Sequence, residues 1–260
     1  MFDLSGKNFV VTGGGRGIGY AITRAIAEMG GNVSVLDMLS KPVDDFEQLS
    51  SEYGTKSLYI NADVTKQNDL DSAFEQTATE LGSIDGCVTA AGIALDKPFL
   101  DQGPDEVRRL IDINLNGTFF TSQTAARHMI QQGNGGSIVM IASICASVVI
   151  PGHKLSAYHA SKGAVKTLTT ALSVELAPHG IRTNCISPGY IESDMTRKLR
   201  TEQPHLVEIM QNAPPMKRIG NRNDLTGAMV YLLSDASSYT TGIDMMITGG
   251  LHAGRIEYPS

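Results

Sequence analysis

The chain has 260 residues, a hydrophobic fraction of 42% and a formal net charge of -6, enough to fill the core of one large α/β domain. The acidic balance and the lack of a basic run exclude a typical nucleic-acid surface, and no stretch approaches the roughly 18 apolar residues of a membrane span. Three scattered cysteines predict neither a disulfide framework nor a metal site. No charged leader with an apolar run precedes the first predicted strand, so we expect a cytoplasmic protein.

Short apolar segments alternate with helical patterns along the chain. Strands are predicted at residues 8–12, 32–36, 57–61, 86–90, 137–142, 182–187 and 244–248. Several are apolar on both faces, as buried parallel strands are. Apolar stripes between Leu70 and Leu81 and over residues 164–176 predict helices, and Pro178 and Gly180 end the second of them. This alternation predicts a parallel sheet covered by helices on both sides, in a single domain over residues 1–260.

A glycine-rich turn directly follows the first strand, with the sequence Thr12-Gly13-Gly14-Gly15-Arg16-Gly17-Ile18-Gly19. Glycines let the backbone approach a pyrophosphate closely, and the helix N-terminus beyond them supplies free N–H groups and a positive dipole end. A merely flexible turn is the alternative. The position of the turn at the start of a βαβ unit favours a dinucleotide site.

Asp37 follows the second strand, 18 residues after Gly19. A carboxylate at this offset accepts hydrogen bonds from the adenosine ribose hydroxyls and repels a 2′-phosphate, which predicts NAD rather than NADP. Arg16 could pair with a 2′-phosphate, so binding of NADP stays an alternative, and Asp37 could be a plain turn residue.

Tyr158 and Lys162 lie four residues apart, on one face of a predicted helix. An ammonium beside a phenol favours the phenolate, so the spacing predicts a lowered pKa for Tyr158 and a role as proton acceptor. Such pairs also occur by chance on solvated helix faces. A serine at the end of an upstream strand and an asparagine on the preceding helix favour the catalytic interpretation.

The longest irregular segment spans about residues 188–215 and is bracketed by Pro188-Gly189 and Pro214-Pro215. A loop of this length in a compact domain is usually functional or carries short helices. We expect it to be a substrate lid.

Together these motifs resemble the short-chain dehydrogenase/reductase family. The resemblance rests on the Thr12 to Gly19 turn, Asp63-Val64, Ala90-Ala91-Gly92, Asn114, Ser143, Tyr158 with Lys162, and Pro188-Gly189. It implies a Rossmann-type, doubly wound, seven-stranded parallel sheet with helices on both faces. It also implies transfer of a hydride between a nicotinamide cofactor and an alcohol or carbonyl. Most members are tetramers, so helices within residues 105–132 and 157–178 are expected to form a homotetramer.

The resemblance implies the catalytic set Asn114, Ser143, Tyr158 and Lys162. Tyr158 would exchange the proton, Ser143 would hold the substrate oxygen, Lys162 would bind the nicotinamide ribose, and Asn114 would hold a water that links Lys162 to solvent. The implied cofactor-binding residues are Gly13, Arg16, Gly17, Ile18, Gly19, Asp37, Asp63, Val64, Thr89, Ala91, Gly92, Tyr158, Lys162, Pro188, Gly189, Ile191 and Ser193. Thr89 replaces an Asn usual in the family and Ser193 a common Thr, and a hydroxyl survives at both positions.

The segments 187–196 and 238–242 resemble the branch of the family that interconverts sugar alcohols and ketoses. The substrate would contact Ser143, Cys145, His153 and Tyr190, although His153 could instead be a surface loop residue. We therefore predict an NAD-dependent dehydrogenase that acts on a secondary alcohol, with a polyol as the favoured substrate. We expect no nucleic-acid or membrane partner. The alternatives are an NADPH-dependent reductase of 3-oxoacyl or other hydrophobic ketones and a non-catalytic NAD(H)-binding sensor.

Overall fold

Seven parallel strands form one sheet in a computed structural model that describes residues 1–43, 45–192 and 200–254. The strands are β1 Asn8–Thr12, β2 Asn32–Asp37, β3 Ser57–Asn61, β4 Gly86–Thr89, β5 Gly136–Ile141, β6 Ile181–Pro188 and β7 Asp244–Ile247. Their spatial order is β3-β2-β1-β4-β5-β6-β7. The seven predicted strands are confirmed, each end to within one residue.

Helices cover both faces of the sheet. They are α1 Gly17–Glu28, α2 Leu49–Tyr53, α3 Gln67–Leu81, α4 Pro104–Ile111, α5 Gly117–Gln132, α6 Ser156–Glu175, α7 Pro204–Asn212 and α8 Thr226–Leu233. Side chains of β1 alternate, so that Val10 packs with α3, α5 and α6, whereas Phe9 and Val11 pack with α1 and α8. Each fully buried Leu, Ile or Phe contributes about 1.5–3 kcal/mol. These two cores hold the predicted doubly wound domain together.

The segment between α4 and α5 is a π-helical turn, Asp112–Asn116. The helix expected within residues 105–132 is therefore two α-helices joined by this wider turn. Asn114 lies within the turn and is fully buried. Such π turns are rare and occur frequently at functional sites.

The strand order changes direction between β1 and β4, which leaves a crevice at the carboxyl edge of the sheet. Gly13 enters the turn after β1 with φ +66°, and a Cβ added there would lie 2.7 Å from Cα of Ala91. Only glycine lets these two loops approach so closely. None of the described helices is both long and apolar enough to cross a membrane.

Candidate active site

The N-terminus of α1 lies in the crevice, because Arg16, Gly17 and Ile18 line the cavity there. Within the described residues no side chain caps this helix, and its first turn has no acidic residue. A Cβ added at Gly17 would meet no heavy atom of the described chain within 4 Å. The backbone N–H groups, the dipole and the open space together fit a pyrophosphate.

Asp37 is held against the glycine turn at the end of β2. Its Oδ2 accepts a hydrogen bond from the Gly15 amide at 3.0 Å, and its Oδ1 accepts one from the Leu39 amide at 3.0 Å. Each carboxylate oxygen keeps capacity for a further donor such as a ribose hydroxyl. Burial, together with the Asp37 charge, raises the pKa of the neighbouring Tyr59 to about 12.

Ser143 follows β5 and begins a short 3₁₀ turn, Ile144–Ala146. Its Oγ accepts a hydrogen bond from the Cys145 amide at 3.2 Å, which fixes the side chain at the strand end. The hydroxyl lies near the phenol of Tyr158, on the first turn of α6, and acts to lower the pKa of that phenol. Ser143 and Tyr158 can therefore contact the same substrate oxygen.

Lys162 lies one turn further along α6 and is buried. Its Nζ donates to the Ile141 carbonyl at 2.7 Å and lies 5.8 Å from the centroid of the Tyr158 ring. A Cβ added at Gly92 would lie 3.6 Å from this nitrogen. The ammonium is thus placed beside the loop after β4, where a nicotinamide ribose is expected.

The acidities of the pair differ from the sequence prediction. Burial raises the pKa of Tyr158 to about 12, and the nearby Ser143 hydroxyl offsets this only in part. Burial lowers the pKa of Lys162 to about 8. The lowered Tyr158 pKa that the spacing predicts is therefore not found for these groups. Its lowering by Lys162 together with a bound dinucleotide stays a prediction. Taking a phenolate out of water raises the pKa of the phenol, and the Lys162 ammonium is hydrogen-bonded to the Ile141 carbonyl instead.

Asn114 ties the loop after β4 to α6. Its Oδ1 accepts from the Ile93 amide at 2.9 Å, and its Nδ2 donates to the Ile93 carbonyl at 2.9 Å and to Ser161 Oγ at 3.2 Å. Ser161 Oγ in turn donates to the Tyr158 carbonyl at 2.8 Å. Both ends of the amide are bonded to the protein, so the side chain fixes the loop after β4 to α6. That Asn114 also holds a water stays a prediction.

A cavity of about 960 Å³ brings many of the predicted site residues together. Those that line it are Arg16, Gly17, Ile18, Gly92, Ser143, Cys145, His153, Tyr158, Lys162, Pro188, Gly189, Tyr190 and Ile191. Those outside its lining are Gly13, Gly19, Asp37, Asp63, Val64, Thr89, Ala91 and Asn114. Ser193 and part of the expected lid lie outside the described residues.

The residues expected around the adenosine differ in how the protein uses their side chains. Asp63 Oδ1 accepts from the Thr65 amide at 3.0 Å and from the Thr65 hydroxyl at 2.8 Å, so it holds the turn after β3. Val64 packs into the core and is 8% exposed. The Thr89 hydroxyl is buried at the end of β4 and has no hydrogen-bond partner in the described part of the chain.

Sequence reasoning missed Asp96, which lines the cavity and hydrogen-bonds His153. The side chain of His153 is 8% exposed, so the surface-loop alternative is wrong. The two residues are 57 positions apart, and only their position in loops after predicted strands hinted at a common site. Over residues 1–43, 45–192 and 200–254, no group of three His, Cys, Asp or Glu side chains could hold a metal ion.

Comparison with known proteins assigns the family. A family model described as enoyl-(acyl carrier protein) reductase matches residues 13–252, and a crystal structure of a short-chain type dehydrogenase/reductase from Mycobacterium marinum is 40% identical, with a TM-score of 0.88. The chain belongs to the short-chain dehydrogenase/reductase family. That structure covers 96% of this chain, which in turn covers 97% of it. A nicotinamide cofactor is therefore implied for this dehydrogenase/reductase, in line with the fit of the crevice.

Two further relatives act on sugars or sugar acids according to their names. Sorbose reductase sou1 of Schizosaccharomyces pombe is 37% identical over 253 residues, which cover 96% of this chain and 97% of the relative. A gluconate 5-dehydrogenase from Burkholderia cenocepacia J2315, solved with NADP and tartrate, is 31% identical with a TM-score of 0.90, and 98% of each chain is covered. This short-chain dehydrogenase/reductase thus resembles sugar-related oxidoreductases over nearly its whole length.

Proposed function

We propose that this protein is an NAD(H)-dependent oxidoreductase that interconverts a secondary alcohol and a ketone, specifically a sugar alcohol and a ketose. The proposal rests on the meeting of Ser143, Tyr158 and Lys162 in one cavity that also reaches the N-terminus of α1. The similarity to sorbose reductase and to gluconate 5-dehydrogenase supports a polyhydroxylated substrate.

The chain's own residues would control the proton, while a bound nicotinamide would accept or supply the hydride. With a pKa of about 12, Tyr158 is protonated at neutral pH and is ready to donate to a carbonyl oxygen. Ser143 would hold that oxygen and stabilise its developing charge. In the direction of oxidation Tyr158 must first lose its proton, which positive charge nearby favours. Lys162, with a pKa of about 8, can hold or release a proton near neutral pH.

Asp37 supports NAD as the cofactor. Both of its oxygens are fixed by backbone amides, so the carboxylate cannot easily turn away from a ribose bound beside it. A 2′-phosphate at this place would meet a buried negative charge. NADP in the Burkholderia cenocepacia relative favours the alternative, for which exposed Arg16 is the available partner. The fixed position of Asp37 favours NAD.

The non-catalytic sensor is less well supported than an enzyme. Removing an ionisable phenol and an ammonium from water costs free energy. A protein that only binds a dinucleotide has no need of Tyr158 and Lys162 together. Reduction of a purely hydrophobic ketone is also less well supported, because polar His153 and Asp96 share the cavity with the apolar side chains.

Assembly, lid and location belong to the same proposal. Phe119, Phe120 and Ile130 are exposed on α5, and we expect a second copy to cover them in a homotetramer. Leu206 and Met210 of α7 line the cavity, which supports a lid over about residues 188–215.

The three cysteines are free and buried, which suits the reducing cytoplasm.

A substrate panel tests the proposed function. Initial rates should be measured by NADH absorbance with sugar alcohols, ketoses, simple ketones and acyl thioesters, using NAD(H) and NADP(H) in parallel. We expect polyols and ketoses to react with the highest kcat/KM, because the cavity offers polar partners beyond Ser143 and Tyr158. Reaction with aliphatic ketones or thioesters alone would reject the sugar branch.

Replacement of Tyr158 by Phe tests the proton donor. Tyr158→Phe should lower kcat by about 10² to 10⁴, the usual contribution of general acid–base catalysis, while the Kd of NADH changes less than about threefold. Tyr190→Phe is the matched control: its hydroxyl donates to the Pro151 carbonyl at 3.0 Å, so its loss should cost less than about tenfold. More than a tenth of normal activity in Tyr158→Phe would overturn the assignment.

Replacement of Asp37 by Ala tests the cofactor. The wild-type protein should favour NAD, and Asp37→Ala should narrow the ratio of kcat/KM for NAD and NADP by at least about tenfold, because a negative charge beside the 2′-phosphate is removed. Asp63→Ala is the control, since its side chain holds the turn after β3 and should affect both cofactors alike. Equal efficiency of the wild-type protein with NAD and NADP would contradict this account.

A further inference from the structure

Asp96 and His153 form a pair at the wall of the cavity. His153 Nδ1 lies 2.6 Å from Asp96 Oδ2, and both residues line the same cavity as Ser143 and Tyr158. The His153 side chain is more than nine-tenths buried, whereas Asp96 is 40% exposed. The carboxylate can therefore keep water contact while it fixes a buried ring.

The pair is held in place by the backbone around it. Asp96 Oδ1 accepts from the Lys154 amide at 2.8 Å, and the Lys97 amide donates to the Lys154 carbonyl at 2.9 Å. The His153 ring packs at 5.7 Å from the Tyr190 ring, measured between centroids. These contacts join the loop after β4 to the loop before α6, so His153 has little freedom to turn.

Among residues 1–43, 45–192 and 200–254, only the Nδ1 nitrogen of the His153 ring has a hydrogen-bond partner. A carboxylate accepts but cannot donate, so Asp96 requires the proton of a neutral His153 to be on Nδ1, which leaves a lone pair on Nε2. This Nε2 is buried and has no hydrogen-bond partner in the described part of the chain. A buried acceptor without a partner costs free energy, and a ligand hydroxyl would remove that cost.

We infer that Asp96 and His153 form a specificity site that accepts a hydrogen bond from a second hydroxyl of the substrate, remote from the carbon that is oxidised. The inference rests on the proposed function and narrows it. An acceptor nitrogen selects a hydroxyl, which can donate, over a methylene or a carboxylate, which cannot. His153 is then a substrate-binding residue, and Asp96 is a positioning residue that fixes its tautomer.

Two replacements of His153 separate this role from a purely structural one. The amide of Asn can occupy the place of Nδ1 and donate to Asp96, but it has no atom at the place of Nε2. The longer Gln can return a polar atom to the place of Nε2. Steady-state kcat/KM should be measured for sorbitol and for 2-butanol, which has no second hydroxyl, in the full-length wild-type, His153→Asn and His153→Gln proteins, with the melting temperature of each.

The ratio of kcat/KM for sorbitol to that for 2-butanol should fall about tenfold in His153→Asn, the effect of one hydrogen bond. The change should come from a higher KM for sorbitol. His153→Gln should restore at least half of the lost ratio on a logarithmic scale. An unchanged ratio in His153→Asn, with turnover of sorbitol by the wild-type protein, would overturn the specificity site and leave the proposed function standing. If His153→Asn melts far below the wild-type protein, a wild-type ratio in Asp96→Asn would overturn it equally. Failure of the wild-type protein to oxidise any polyol would reject the proposed function and this inference with it.

Discussion

Two ionisable side chains, half-buried Tyr158 and buried Lys162, lie together at the carboxyl edge of the sheet, and the chemistry of the site depends on their removal from water. It raises the pKa of the phenol to about 12 and lowers that of the amine to about 8. Both groups are therefore biased toward their neutral forms, as expected where a charge is removed from water. A proton donor that stays protonated at neutral pH suits reduction of a carbonyl. Oxidation would need added positive charge, which the oxidised nicotinamide ring carries.

The surrounding structure keeps the pair in place through the backbone. The Ile141 carbonyl at the end of β5 holds the Lys162 ammonium, and Ser143, two residues later, lies near the Tyr158 phenol. Asn114 braces the loop after β4 against α6 through Ile93 and Ser161. Strand ends, a π-helical turn and a helix face thus meet at one point. The parallel sheet brings the carboxyl ends of its strands to a common edge. Each site side chain therefore needs only partners that are close to it in the structure to be held in place.

Much of this arrangement could be predicted from the sequence, since it is local. Apolar runs identified the seven strands, and the motifs after β1, β2 and β5 placed the glycine turn, Asp37 and Ser143 on one edge. The π-helical turn could not be predicted, because it depends on a hydrogen-bond register that the residue types around Asn114 do not specify. The spacing of Tyr158 and Lys162 placed both on one helix face but did not show how far each is removed from water or that Ile141 binds the ammonium. Asp96 and His153 meet only through the tertiary fold, so no local pattern joined them.

The acidity of Tyr158 is the quantity that most directly tests this account. Tyrosine labelled with ¹³C at Cζ would be titrated by NMR in the protein alone and in its complex with NAD⁺, with the Tyr158 signal assigned by its loss in Tyr158→Phe. The account predicts a pKa near 12 in the protein alone and a clear fall when the positively charged cofactor binds. A pKa at or below about 10, the value of a free phenol, in the protein alone would show that burial does not control this site. A pKa that does not move on binding NAD⁺ would contradict the proposed route of proton transfer.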